Sequence, residues 1–192
     1  MQRSAGAHGV SRPTLVVVAG PPGSGKTTLA HALAAAIPCA AICRDEIKEG
    51  MVHAHRGDFE TAPGDPLTQR TFPLFFEVLR TLVSGGVTLV AEAAFQDGLW
   101  RRGLESLLSC AELRIVNCRV DAALSYERAT DRGDRRLSHG DSALRAGEEE
   151  WARRTASFEW ISIPAPSIDV DTTDGYNPGM GTLVAFVNRS AC

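Results

Sequence analysis

The chain has 192 residues, of which 44% are hydrophobic and 22% are charged. This balance is typical of one globular domain with a single core. The net charge of −3 argues against a protein that coats nucleic acid, because such proteins draw much of their affinity from a basic surface. The N-terminal residues 1–12 lack the apolar stretch of a signal peptide, and no segment approaches the roughly 18 apolar residues of a membrane span. We therefore expect a cytoplasmic protein without a membrane partner, with a disordered arm over residues 1–12 and one domain over 13–192.

Short apolar runs recur along the chain and predict strands. The run Thr14–Ala19 is continuous and rich in β-branched residues, which predicts a strand buried on both faces, as in a parallel sheet. Four further runs predict strands over residues 40–43, 87–91, 113–120 and 167–171.

Helical patterns fill the intervals between these runs. They predict helices over residues 27–36, from 44 onward, and over 67–84, 98–109, 121–130, 141–157 and 182–188. The segment His53–Asp65 has no periodicity and predicts a loop. Strands that alternate with helices indicate an α/β domain with a parallel sheet and right-handed crossovers.

The segment Gly20–Thr27 matches the phosphate-binding loop pattern G-x-x-x-x-G-K-[ST]. A predicted buried strand precedes it and a predicted helix follows, which is the context that this motif requires. Glycines let backbone N–H groups surround phosphate oxygens, and the new helix adds its positive N-terminal dipole. We predict that nucleotide contacts come from Gly20, Pro22, Gly23, Ser24, Gly25, Lys26, Thr27 and Thr28.

The last two motif residues have distinct predicted roles. Lys26 is expected to reach the β- and γ-phosphates, and the Thr27 hydroxyl is expected to ligate Mg²⁺. The motif therefore predicts a site for a nucleoside triphosphate with magnesium.

Asp45 follows the second predicted strand, and Lys48 stands one helical turn later. Residues at the carboxyl ends of parallel strands face the ligand crevice. Asp45 could therefore accept the proton of an attacking hydroxyl, and Lys48 could hold an anionic part of the substrate. The alternative is that Asp45 caps the helix and pairs with Lys48 or Arg44.

Glu92 ends the third predicted strand at the same edge of the sheet. Its carboxylate could orient Mg²⁺ through water or touch the substrate, and Gln96 could reach the same crevice. The alternative for Glu92 is a structural or solvated side chain.

Four arginines fall between residues 128 and 136, namely Arg128, Arg132, Arg135 and Arg136. Phosphoryl transfer is helped mainly by positive charge and by positioning, so this cluster predicts a mobile Arg-rich lid. Arg128 and Arg132 are candidate contacts to the nucleotide, and Arg132 and Arg136 are candidate catalytic residues. The alternative is a solvated helix face whose arginines pair with nearby carboxylates.

The five cysteines form no C-x-x-C pair. Most sit in or beside apolar segments, so we interpret them as reduced core thiols. His53 and His55 have no nearby cysteine pair, and no zinc site is predicted.

With the phosphate-binding loop, Arg44-Asp45 after the second strand and the cluster over 128–136, the chain resembles the small P-loop kinases related to polynucleotide 5'-hydroxyl kinase. Chloramphenicol phosphotransferase and the zeta toxins belong to the same broad group. The resemblance implies a three-layer P-loop NTPase sandwich with strand order 2-3-1-4-5. It also implies Mg-ATP as donor and a hydroxyl group as acceptor.

The resemblance also implies residue roles. Asp45 would be the general base, Lys48 would contact the substrate, and Arg132 or Arg128 would meet the donor phosphates. The segment Asp171-Thr172-Thr173 would lie near the adenine. The group often has aspartate where Glu92 stands and arginine where Lys48 stands.

Three functions remain open from the sequence. The first is a kinase acting on the hydroxyl of a small molecule. Phe95, Trp100 and the loop His53–Asp65 could line its acceptor pocket, and the alternative for Trp100 is a core residue. The second is a polynucleotide 5'-hydroxyl kinase, which the net charge of −3 does not favour. The third is a nucleotide-gated binding module or slow ATPase. The sequence leaves the oligomeric state open.

Overall fold

The structure is a computed structural model that describes residues 12–54, 65–133 and 146–189, with the backbone alone at 132 and 133. Five parallel strands form one sheet of order β2-β3-β1-β4-β5, as the resemblance implied. The strands are β1 Thr14–Ala19, β2 Ala40–Cys43, β3 Leu89–Glu92, β4 Glu112–Arg119 and β5 Ser167–Asp171.

Helices connect successive strands. Their bounds are α1 Lys26–Ala36, α2 Arg44–Ala54, α3 Pro66–Ser84, α4 Asp97–Glu105, α5 Ala122–Gly133, α6 Glu148–Ala156 and α7 Met180–Val187. Among the described residues, no helix is both long enough and apolar enough to cross a bilayer.

Strand β1 lies at the centre of the sheet because its side chains are apolar on both faces. It pairs with β3 on one side and β4 on the other, with Val18 opposite Glu92. On the far side of β3, Cys43 of β2 lies opposite the same Glu92. The ends of β1, β2 and β3 therefore meet at one edge of the sheet, where the predicted site residues follow.

Two hydrophobic layers cover the faces of the sheet and give the three-layer sandwich. One layer is packed by α1 and α7, with Leu29, Leu33 and Leu183 fully buried. The other is an aromatic cluster with Phe75 of α3 at its centre.

This aromatic cluster corrects one interpretation of the sequence. Phe95 and Trp100 could have lined an acceptor pocket, but they are 0% and 5% exposed. Their ring centroids lie 4.9 Å apart, and both pack against Phe75. They form core, because large aromatic rings gain most when they are removed from water.

Several element boundaries differ from the predictions. Helix α2 continues to Ala54, so His53 is helical, and residues 55–64 of the predicted loop lie outside the described residues. The arm over 1–11, residues 134–136 of the predicted lid and residues 141–145 of the helix predicted over 141–157 also lie outside the described residues, which resume at residue 146.

Candidate nucleotide and acceptor site

The loop between β1 and α1 takes a conformation that only glycine tolerates well. Gly23 and Gly25 have φ values of 76° and 73°, a region that side chains on L-residues disfavour. A Cβ atom on Gly23 would also lie 2.1 Å from the carbonyl oxygen of Ser125 in α5. The predicted loop glycines thus have a steric basis, and α5 packs directly on the loop.

Helix α1 begins with Gly25 at its N-cap, and no side chain caps its first amides. The first N–H groups of a helix have no partner within the helix, and together with the dipole they favour an anion. Ser24, in the same loop, is fully buried. These amides provide a fitting site for the phosphates of a nucleotide.

The side chain of Lys26 crosses the mouth of this loop. It is 6% exposed, its Nζ donates to the Pro21 carbonyl at 3.4 Å, and it lies 3.8 Å from Glu92 Oε1. The structure therefore brings the predicted phosphate lysine to the predicted metal carboxylate.

Glu92 is almost fully buried beside Thr27. Thr27 Oγ1 donates a 3.1 Å hydrogen bond to Glu92 Oε2, while Glu92 Oε1 has no hydrogen-bond partner among the described residues. Burial raises the pKa of Glu92, Lys26 opposes that rise, and the charge of Asp45 adds to it.

A magnesium ion fits this pair of side chains. Mg²⁺ prefers hard oxygen ligands and usually takes one or two from the protein. The Thr27 hydroxyl and the buried Glu92 carboxylate offer such ligands beside the phosphate loop. Glu92 Oε1 lies 3.8 Å from Lys26 Nζ but accepts no hydrogen bond from the described residues, so it is available to a cation directly or through water.

Asp45 stands in the first turn of α2. It is half-buried and accepts a 2.9 Å bond from Arg44 Nη1, one of the alternative pairings that the sequence left open. Its charge is close enough to Glu92 to raise that residue's pKa. Two carboxylates and the lysine of the loop thus share one electrostatic environment.

Lys48 is buried in an ion pair instead of facing the crevice. Its Nζ lies 2.8 Å from Asp65 Oδ2, and Asp65 also accepts bonds from the backbone and hydroxyl of Thr68. Burial alone would raise the pKa of Asp65, but these bonds outweigh it and lower the pKa to about 2. Lys48 therefore anchors the start of α3 to α2, and its contact with a substrate stays a prediction.

Arg128 of α5 lies on the nucleotide side. Its Nη2 donates to the carbonyls of Thr172 and Thr173 at 3.0 and 3.2 Å. Its Nη1 is 3.8 Å from the position of a Cβ on Gly25. The side chains of Arg132, Arg135 and Arg136 fall outside the described residues, so the lid stays a prediction.

A cleft of about 920 Å³ opens beside the loop, large enough for a nucleotide. Gly23, Gly25, Thr27, Thr28 and Arg128 line it together with Thr172 and Tyr176 after β5. Among the other predicted residues, Pro22 is exposed, Gly20 packs tightly on Ser24, and Gln96 is exposed at the N-cap of α4.

Sequence reasoning missed the structural role of Thr172. Its hydroxyl donates to the Ser24 carbonyl at 2.8 Å and lies 3.0 Å from the Arg119 carbonyl, so it joins the end of β4 to the phosphate loop. His31 and Glu46, which also line the cleft, were missed as well. No motif marks them, because they come from helices that only the fold brings together.

Comparisons with known proteins agree with this geometry. The model of the AAA_33 family, described as an AAA domain, matches residues 15–161. A protein from Chloroflexus aurantiacus proposed to be a kinase is 24% identical, with a TM-score of 0.82 over 94% of this chain and 100% of that one. No curated protein matches the sequence.

Two further structures share the fold at lower identity. The APS kinase CysC of Mycobacterium tuberculosis, solved with AMPPNP and APS, is 12% identical with a TM-score of 0.60, covering 93% of this chain and 99% of that one. A gluconokinase from Sinorhizobium meliloti is 17% identical with a TM-score of 0.54, covering 92% and 89%. These likenesses extend over nearly the whole of each chain. Since the family model spans most of the sequence and the phosphate loop has its expected form, the chain belongs to the AAA_33 family of P-loop domains.

Proposed function

We propose that the protein is a phosphotransferase that moves the γ-phosphate of Mg-ATP to a hydroxyl group of a small molecule. One observation carries the proposal: Lys26, Thr27 and Glu92 converge beside the phosphate loop, and the charge of Asp45 acts on the same carboxylate. Lys26, Thr27 and Glu92 are side chains that can bind a donor nucleotide and its metal ion. Asp45 is a carboxylate that can activate an acceptor hydroxyl.

The proposed roles follow from this arrangement. The loop amides and Lys26 bind the phosphates, and Arg128 packs against the loop from the nucleotide side. Thr27 and Glu92 would hold Mg²⁺, which when bound neutralises charge on the phosphates. We further propose that Arg132 and Arg136 stabilise the transferred phosphoryl, because such transition states carry negative charge on their equatorial oxygens.

Asp45 is proposed to be the general base. Its carboxylate would take the proton of the acceptor hydroxyl as the oxygen forms a bond to the γ-phosphorus. The bond between that phosphorus and the bridging oxygen breaks, and its electron pair leaves with ADP. The 2.9 Å contact with Arg44 Nη1 holds the Asp45 carboxylate in position at the start of α2.

The acceptor belongs on the side of Asp45, Glu92 and Gln96. Support for a small molecule is the net charge of −3, which does not favour binding to a polyanionic strand. The gluconokinase and the APS kinase have the same fold and act on small molecules by name. Lys48 could reach an anionic acceptor only if its bond to Asp65 opened.

A labelled-phosphate screen tests the proposal. ATP labelled at the γ-phosphate is incubated with the protein, Mg²⁺ and a panel of sugars, nucleosides, aminoglycoside-like alcohols and 5'-hydroxyl oligonucleotides. We expect label on a small alcohol and none with Lys26→Ala. Label on oligonucleotides alone would show a polynucleotide kinase. Release of inorganic phosphate with every acceptor would show an ATPase instead.

A further inference from the structure

A second group of side chains capable of binding a metal lies beside the cleft, which two of its members, His31 and Glu46, line. His31 of α1, Cys43 of β2 and Glu46 of α2 bring one ligand atom each to within 4.8 Å of one another. Because they come from three different secondary-structure elements, only the tertiary fold brings these side chains together.

The separation of the two softer ligands matches a tetrahedral zinc site. Cys43 Sγ lies 3.6 Å from His31 Nε2. Bond lengths of about 2.3 Å to sulfur and about 2.0 Å to nitrogen at a tetrahedral angle place those atoms about 3.5 Å apart. The pair thus needs almost no rearrangement to share an ion.

The third ligand is close and able to move. Glu46 Oε1 lies 2.7 Å from His31 Nε2, nearer than two ligands of one ion would be, so it must withdraw by roughly half an ångström. Both side chains are about half exposed, at 51% for His31 and 43% for Glu46. The adjustment therefore involves surface groups, while Cys43 stays fixed in the buried end of β2.

The surroundings of Cys43 favour a cation. The carboxylates of Glu92 and Glu46 both lie close enough to interact with the thiol. Their negative charge attracts a divalent ion, and a bound ion displaces the thiol proton to solvent. One thiolate and one carboxylate then balance the ion's two positive charges, with imidazole neutral.

We propose that His31, Cys43 and Glu46 form a binding site for zinc or a similar thiophilic divalent cation, with the fourth position open to water in the cleft. The site is distinct from the oxygen-ligand site of Thr27 and Glu92, because a thiolate and an imidazole select a softer ion than magnesium. It does not depend on the proposed function. An ion here would tie α1, β2 and α2 together and fix the turn that carries Asp45.

Cobalt is a suitable probe because it accepts the same ligands as zinc and absorbs light when bound to a thiolate. The full-length chain, free of nucleotide and magnesium, is titrated with Co²⁺ and then with Zn²⁺ against a chromophoric chelator. We expect one equivalent of Co²⁺ with a sulfur-to-metal charge-transfer band, which Zn²⁺ abolishes. Absence of that band, or cobalt bound without it, would overturn the proposal.

Three variants assign the band to these residues. Cys43→Ser should lose it, and His31→Gln, at an exposed position, should weaken Zn²⁺ binding by at least about tenfold. Cys110→Ser lies outside the group and should keep both the band and the affinity. A band that survived Cys43→Ser, or Zn²⁺ affinity unchanged in His31→Gln, would contradict the assignment. Because His31 is exposed, its result stands even if Cys43→Ser folds poorly.

Discussion

Thr27 Oγ1 donates a 3.1 Å hydrogen bond to Glu92 Oε2 and so joins the phosphate loop to the end of the neighbouring strand. Parallel pairing makes this contact possible, because Val18 and Glu92 share a register position between β1 and β3. The sheet fixes the buried carboxylate at the end of β3, and the loop after β1 brings the hydroxyl to it from the first turn of α1. Sites built on strands keep their geometry better than sites built on loops alone.

Replacing Lys26 by alanine should weaken Mg-ATP binding by about ten- to a hundredfold, since hydrogen bonds to charged groups contribute about 1.5–3 kcal/mol each. Its ammonium group lies beside the loop, near the Pro21 carbonyl and Glu92. Calorimetric titration with a non-hydrolysable ATP analogue measures the change. Arg70→Ala, at an exposed position of α3, is the control. Equal affinity in Lys26→Ala and the parent would mean that the loop does not bind the donor as we propose.

Asp45→Asn should lower kcat by about 10²–10⁴-fold, the usual contribution of a general base, and leave the affinity for ATP nearly unchanged. Asparagine keeps the shape and the Arg44 contact but cannot take a proton. Steady-state kinetics with the acceptor found in the screen measure the change in kcat. Glu105→Gln, exposed at the end of α4, should behave as the parent does. If kcat of Asp45→Asn stayed within twofold of the parent, Asp45 would not be the general base.

Glu92→Gln should make the protein inactive and more stable. Burial raises the pKa of Glu92, so the folded state is penalised for holding this group ionised and the amide removes the penalty. The penalty is fully present above the raised pKa and vanishes below the ordinary value of about 4.5. Thermal melts at neutral pH should therefore show a higher Tm for the variant, with the difference disappearing as the pH falls below that value. A lower Tm at neutral pH would show that the pairing with Lys26 outweighs burial.

Gly23→Ala should abolish nucleotide binding while the fold persists. The added methyl would meet the Ser125 carbonyl at 2.1 Å, at a φ of 76°. The loop and α5 must then move apart. Gly50→Ala is a matched control, because no atom lies within 4 Å of a Cβ at that position, and alanine inside α2 should stabilise by about 0.5–1 kcal/mol. Circular dichroism and ATP titration separate the two effects. Normal ATP affinity in Gly23→Ala would mean that the loop relaxes freely.

Asp65→Asn should lower the unfolding free energy by on the order of 2 kcal/mol at neutral pH. This figure follows because folding lowers the pKa of Asp65 from 3.8 to about 2. A lowered carboxyl pKa stabilises the fold above the unfolded value, and that contribution is lost as the pH falls from about 4 to about 2. Urea unfolding at several pH values should show the gap between the two proteins closing over this window. Asp174→Asn, at an exposed position, should stay within about 0.5 kcal/mol. A pH-independent gap would mean that the Lys48 pair is not its source.

The sequence predicted the sheet well because buried parallel strands are continuous apolar runs. The bounds of β1, β2 and β5 agree with the structure residue for residue. The donor half of the site was predictable for a related reason, since the phosphate loop needs fixed residue types at fixed spacing. Helix α3 was likewise predicted across Pro73, and the structure keeps this exposed proline inside the helix.

The acceptor half was less predictable because it depends on contacts between distant segments. Nothing in the sequence pairs Lys48 with Asp65, 17 residues away, or brings His31 to Cys43 from another element. Phe95 and Trp100 follow β3 closely, as pocket residues would, yet tertiary packing buries both. A motif predicts the geometry of its own segment, whereas the roles of these side chains depend on contacts with residues that are distant in the sequence.

The central claim is that the γ-phosphate leaves ATP for a carbon-bound hydroxyl. Phosphorus NMR of a complete reaction tests it most directly, because a phosphate monoester and inorganic phosphate give separate signals. With Mg-ATP and the acceptor panel, we predict that the lost γ-phosphate signal reappears as a monoester, and that Asp45→Asn slows this by about 10²–10⁴-fold. Inorganic phosphate as the sole product, formed equally fast by Asp45→Asn, would contradict the account.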